Sequence, residues 1–198
     1  MKEFLQRLSI KLSKCFYFVH KPSFKSLGKH SVVYKPMMVR GRKYISLGKY
    51  CFIRNGARIE VIKDYCTDKS HLELKIGDNT TFEQRLHLTC GNRITIGSNC
   101  VFSANVYITD LDHKMDNPEC NILNQGVQTK EVYIGNNCFI GIGSYIFAGT
   151  KLGNNVIVGA NTIVKGEYPD DVMIVGGHDG KARIIKRYDR NEKKWIKI

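Results

Sequence analysis

Aliphatic side chains recur at every sixth position from Ile134 through Ile140, Ile146, Leu152 and Val158 to Val164, set among Gly, Asn and other polar residues. A helix repeats about every 3.6 residues and a strand every two, so neither sustains a strict six over this length. One aliphatic per six residues with turn residues between is the pattern of a parallel β-helix, whose short flat strands meet at tight corners. The aliphatics point inward and stack coil on coil. Gly and Asn suit the corners because both tolerate positive φ. The same phase links Leu47, Ile53 and Ile59, then Ile76, Phe82 and Leu88, then Ile96, Phe102 and Ile108. Leu27, Val33 and Val39 form a weaker first set. With three hexapeptides per triangular coil, the chain is expected to hold roughly five coils.

Three segments depart from the repeat. Phe4, Leu5, Leu8, Leu12, Cys15, Phe16 and Val19 follow helical spacing, with Lys2, Arg7, Lys11 and Lys14 on the polar side. Residues 1–25 are therefore expected to be an amphipathic helical segment, ahead of a β-helix over 26–187 and a basic tail over 188–198. The apolar run at 15–19 is too short to span a bilayer. Two roles stay open for the helix: capping the first coil, or lying on an anionic membrane surface. Residues 61–74 form a polar interruption expected to be extruded. Residues 109–131 form a longer one, and long ordered loops on a regular scaffold commonly carry function.

Charge and cysteine usage narrow the partners. Lys and Arg number 31 against 18 Asp and Glu, a net charge of +13. Such an excess fits polyanions, membrane surfaces or phosphorylated substrates. Nucleic acid is not expected as a partner, because no recognition helix or zinc-finger spacing is present. Cys51, Cys100 and Cys138 each stand four residues after a repeat aliphatic, which marks a small buried side chain stacked between coils. The seven cysteines are an odd number, no Cys-x-x-Cys occurs and no signal peptide is seen, so a reducing cytoplasm is the expected compartment.

The stretch Asn105-Val106-Tyr107-Ile108-Thr109-Asp110-Leu111-Asp112-His113 resembles the approach to the catalytic His of the galactoside and maltose acetyltransferases. These belong to the left-handed β-helix hexapeptide-repeat acyltransferases. His113-Lys114-Met115-Asp116 is similar to the matching stretch of the streptogramin acetyltransferases. Polysaccharide O-acetyltransferases of this family often carry Thr-Asp-His-x-His here; Leu111 replaces the first of those His, leaving His113 as the candidate. The resemblance, over residues about 45–187, implies an all-β left-handed parallel β-helix that transfers acetyl from acetyl-coenzyme A to a sugar hydroxyl. The expected setting is surface polysaccharide or lipopolysaccharide synthesis, at the inner face of the membrane or free in the cytoplasm.

The chemistry needs one base. A hydroxyl attacking a thioester must lose a proton, and imidazole, with an ordinary pKa of about 6.5, suits that task. Asp110, Asp112 or a backbone carbonyl is expected to hold the other ring nitrogen, with Asp110 and Asp112 also candidate acceptor contacts. The resemblance places Glu83, where Asn is common, and Asn105 near the acceptor. It places Phe139, Gly141, Ala160, Lys165, Arg183 and Lys186 along the coenzyme, the last two on its phosphates. Lys181 stands where the family's closing motif has Pro, and His178-Asp179-Gly180 looks like a small insertion. The family implies a homotrimer, because one solenoid lacks a second wall for a two-substrate site. No metal is expected: the zinc site of a γ-class carbonic anhydrase needs a His-x4-His pair, and the six His include none. Transfer to a nucleotide amino sugar or an antibiotic is the alternative within the enzyme class, and a non-catalytic scaffold the alternative outside it.

Overall fold

The computed structural model describes residues 21–66, 71–176 and 180–198. Of the helical segment expected over residues 1–25, residues 1–20 lie outside the described residues, and Lys21–Ser23 form a single 3-10 turn. Within them the chain is a left-handed parallel β-helix. Three sheets of parallel strands form the faces of a triangular prism, with the interrupting segment as a two-stranded antiparallel hairpin on the side. The third sheet has six strands, so the described residues complete six coils, and two faces of a seventh follow. This exceeds the expected five. Val33 and Val39 are only half-buried and the 61–74 break hides a boundary, so the first coils carry a weaker periodic signal.

Register confirms the six-residue columns. Leu47, Ile76, Ile96, Ile134 and Leu152 pair in line on the first face. Ile53, Phe82, Phe102, Ile140 and Val158 do so on the second, and Ile59, Leu88, Ile108, Ile146 and Val164 on the third. All are buried. Each contributes on the order of 1.5–3 kcal/mol relative to an exposed position.

The corner between the first and second faces shows why the turn residues recur. A Cβ on Gly77 or Gly97 would stand 2.6 Å from the backbone of the next coil, so only Gly fits there. Two residues on, Tyr50, Asn79, Asn99, Asn137, Asn155 and Asp171 adopt φ between 56° and 62°, the left-handed region Asn and Asp tolerate best. Between these positions a ladder runs along the corner. The amides of Lys49, Asp78, Ser98, Asn136 and Asn154 donate to the side chains of Asp78, Ser98, Asn136, Asn154 and Asp170 respectively, at 2.8–3.0 Å. Cys51, Cys100 and Cys138 follow, buried as expected, and their thiols donate to the carbonyls of Gly77, Gly135 and Gly153.

Two expectations about boundaries change. The 61–74 segment is not wholly extruded: Val61, Cys66 and Leu72 are buried, because the chain folds back over the coil on either side of residues 67–70. The boundary at residue 187 falls inside a strand. Val172–Gly176, Ala182–Asp189 and Lys194–Lys197 form an antiparallel extension of the second sheet, so residues 188–198 are not a separate tail. Tyr188 packs on Trp195 and Arg190 pairs with Asp171 at 2.6 Å.

Candidate active site

The excursion at 109–131 leaves the third face as a hairpin. Leu111–His113 pairs antiparallel with Val127–Thr129, and a short 3-10 turn at Ile122–Asn124 shapes its tip. Its base leans over the outer surface of the third sheet. There Glu60, Thr89 and Thr109 lie in register and alternate with core Ile59, Leu88 and Ile108, so they point outward. They are nevertheless buried, which strand alternation alone does not predict. The hairpin covers them.

A cavity of about 290 Å³ remains between hairpin and sheet. His113, Asp112 and Leu111 close one side, Tyr65 and Ile62 the end, and Arg58, Glu60, Tyr107 and Phe147 the floor. His113 itself is exposed. The Glu60 side chain is 6% exposed and pairs with Arg58, whose Nε donates to Glu60 Oε2 at 2.5 Å. His87, in register with Arg58 and Tyr107, packs at a tilt against Tyr107, 4.9 Å between ring centroids and 57° between planes. Burial, and then the Arg58 charge, hold its pKa below the ordinary His value, favouring the neutral ring. The cavity lining thus offers the aromatic rings of Tyr65, Tyr107 and Phe147, the Glu60–Arg58 pair and the His113 imidazole. That combination suits a polar ring carrying hydroxyls.

The expected site residues separate on this frame. Asp112 lines the cavity beside His113. Asp110 does not: its side chain is fully buried beneath the hairpin root and accepts the amides of Gly91 at 2.6 Å and Asn92 at 2.8 Å. It is therefore committed to the backbone and meets neither His113 nor an acceptor, contrary to expectation. Burial raises its pKa above the ordinary carboxylate value against the pull of those amides. Glu83 sits at the neighbouring corner, paired with Arg54 at 2.9 Å, outside the cavity lining. Asn105 is an exposed left-handed turn residue, φ 59°, whose amide donates to the Gln84 carbonyl. Neither residue lines the His113 cavity.

The six coenzyme candidates lie elsewhere on the solenoid. Phe139 is exposed on the second face between Val101 and Ile157 in register. Gly141 is buried, and a Cβ there would meet the Ala160 amide nitrogen at 2.6 Å, so its small size permits the close spacing of the coils. Ala160 and Lys165 are exposed. Arg183 and Lys186 lie on the antiparallel extension, opposite Val175 and Met173. Arg58, Glu60 and Tyr107 were not singled out from sequence. The available signal was Arg58-x-Glu60 on the outward side of a strand, in register with the strand that leads to His113.

Among the described residues no group of three or more His, Cys, Asp or Glu is placed to hold a metal ion. None of their helices is long and apolar enough to cross a membrane. A family model described as the hexapeptide repeat of succinyl-transferase matches residues 90–110 and 131–165, the coils on either side of the hairpin. The putative lipopolysaccharide biosynthesis O-acetyl transferase WbbJ of Escherichia coli is 29% identical over 162 residues, covering 74% of this chain and 81% of that protein. The galactoside O-acetyltransferase of Lactococcus lactis is 32% identical over 106 residues, half of each chain. Among solved structures, AntD, an N-acyltransferase from Bacillus cereus in complex with dTDP and 3-hydroxybutyryl-CoA, matches with a TM-score of 0.71 at 22% identity. That alignment covers 88% of this chain and 89% of AntD. Repeat columns, corner chemistry and side hairpin agree with these relatives, and the chain is similar to the hexapeptide-repeat acyltransferases in sequence and shares their fold.

Proposed function

We propose that this chain is an acetyl-coenzyme A-dependent O-acetyltransferase of a sugar hydroxyl in lipopolysaccharide or surface polysaccharide assembly, with His113 as general base. The observation that carries this is the hairpin cavity, which sets His113 beside an aromatic and charged enclosure of glycosyl size. In the reaction, a His113 ring nitrogen removes the proton of the acceptor hydroxyl as its oxygen attacks the thioester carbonyl. The C–S bond breaks, and coenzyme A leaves as the thiol after taking that proton. The likeness to WbbJ supports an oxygen acceptor and a saccharide setting. The test is mass spectrometry of glycans and sugar nucleotides after incubation with acetyl-coenzyme A. The expected product carries one acetyl group that mild base removes as an ester. A base-stable amide product would overturn the oxygen assignment.

Coenzyme A is proposed to run past Phe139 and Ala160, with Lys165, Arg183 and Lys186 toward its phosphates. Replacing Arg183 and Lys186 with Ala is expected to raise the KM for acetyl-coenzyme A, each lost charged contact costing on the order of 1–3 kcal/mol. The acceptor KM is expected to stay within about two-fold, since these residues lie outside the His113 cavity, and an unchanged coenzyme KM would assign the charges elsewhere. A homotrimer is proposed to supply the second wall. Exposed Val101, Phe139, Ile142, Tyr145 and Ile163 give an apolar surface on the second and third faces for a neighbouring subunit to cover. Light scattering on the full chain is expected to give three times the 22.6 kDa chain mass; a monomer would remove that proposal. The cytoplasmic side of a membrane is the proposed place of action, with lipid-linked saccharide as the acceptor within reach.

A further inference from the structure

The root of the hairpin is built around one carboxylate that the transfer chemistry does not use. Asp110 is fully buried. It accepts two backbone amides, from Gly91 and Asn92, at the corner of the preceding coil, and the Cys90 thiol lies 3.6 Å from Oδ2. Its own carbonyl accepts the Lys130 amide at 2.8 Å, on the returning arm of the hairpin. The Lys130 carbonyl in turn accepts the Gly149 amide, in a later coil. One residue therefore ties three pieces of chain: the coil below, the outgoing arm and the returning arm. Gly91 allows this approach. A Cβ there would lie 3.1 Å from a Leu111 methyl and 3.2 Å from a Thr129 methyl, one on each arm.

We infer that Asp110 is the positioning residue of the active site: by clamping both arms of the hairpin to the coil below, it fixes where His113 stands over the cavity. The inference rests on His113 being the base. A carboxyl group accepts both amides together, whereas in Asn one side-chain end is a donor and would face an amide donor. The burial that raises the Asp110 pKa marks the cost of keeping a carboxylate here, and two short charge-assisted bonds offset it. The hairpin is otherwise a two-stranded ribbon, marginal on its own, so its aim depends on its root. A base misplaced by about 1 Å loses on the order of 10²-fold in rate.

Asp110→Asn is expected to lower kcat by about 10- to 100-fold, with the KM for acetyl-coenzyme A changed less than about two-fold. The same substitution in a His113→Ala background is expected to change the rate little, since its effect passes through His113. Amide exchange followed by mass spectrometry is expected to speed up in residues 111–116 and 126–130 of Asp110→Asn, while the stacked coils keep their protection. A further loss of equal size in the His113→Ala background, an unchanged kcat, or unchanged exchange in the hairpin would each overturn the inference. Full activity of His113→Ala alone would instead remove the base assignment, leaving the exchange result to decide whether Asp110 clamps the hairpin. Should Asp110→Asn not fold, Gly91→Ala presses on the same root through Leu111 and Thr129. It must then show the same split between kcat and KM.

Discussion

Replacing His113 with Ala is expected to lower turnover by about 10²–10⁴-fold, the range associated with loss of a general base, while the protein stays folded. Both halves follow from position. His113 is exposed on a hairpin outside the stacked columns, so removing its imidazole opens no cavity in the core. The KM for acetyl-coenzyme A should barely move, because none of the proposed coenzyme residues lines the His113 cavity. Steady-state kinetics on the purified variant, with a thermal melt beside them, make the check. An unaltered turnover number would take His113 out of the mechanism.

The largest loss of stability is expected from Phe82→Ala. Phe82 and Phe102 occupy consecutive places in the second-face column, both fully buried, with ring centroids 4.4 Å apart and planes 17° from parallel. Removing one ring leaves a void that coils above and below cannot close, since backbone pairing fixes their spacing at every strand. The expected cost is about 3–5 kcal/mol, read as a fall in the urea midpoint. Phe139→Ala on the exposed side of the same sheet is the control. It should leave the fold of the single chain nearly unchanged, within about 0.5 kcal/mol. Equal losses from both would mean that the inward and outward assignment of the second face is wrong.

The columns and the hairpin were legible because both are local signals: a fixed six-residue spacing, and a break in it. The cavity was not, because its parts come from four separate stretches. Arg58 and Glu60 meet His113 only when one coil is stacked beneath another and the hairpin is laid across the face. Glu83 illustrates the same limit, since the Arg54 that neutralises it lies in the preceding coil. Asp110 looked like an active-site acid by its nearness to His113 in sequence. Strand alternation and the turn at Gly91 send its side chain under the hairpin rather than toward the cavity. The C-terminal residues were read as a solvated tail because Lys and Arg are dense there. Such charge is also how an edge strand discourages pairing with other chains, and Ala182–Asp189 and Lys194–Lys197 lie at the outer end of the second sheet.

The corner ladder gives the solenoid a direction. Each of these five rungs has an amide of one coil donating to a side chain of the coil that follows it. The two ends are therefore chemically unequal. Trimming a coil from the beginning frees a side-chain acceptor of this ladder, and it also takes the Lys29 carbonyl and Ser31 hydroxyl from the amides of Tyr50 and Cys51. Trimming one from the end takes away the acceptor that an amide was using and leaves a donor to find another. A coil grafted onto the front must bring a well-aimed amide to meet the next side chain, and a carbonyl at the same residue to accept an amide of the next coil, as Lys29 now does from Tyr50. One grafted onto the back must carry Asp, Asn or Ser at the second corner position, as Asp170 now does for Asn154. The repeat can thus be lengthened from either side, but the rules for the two sides differ.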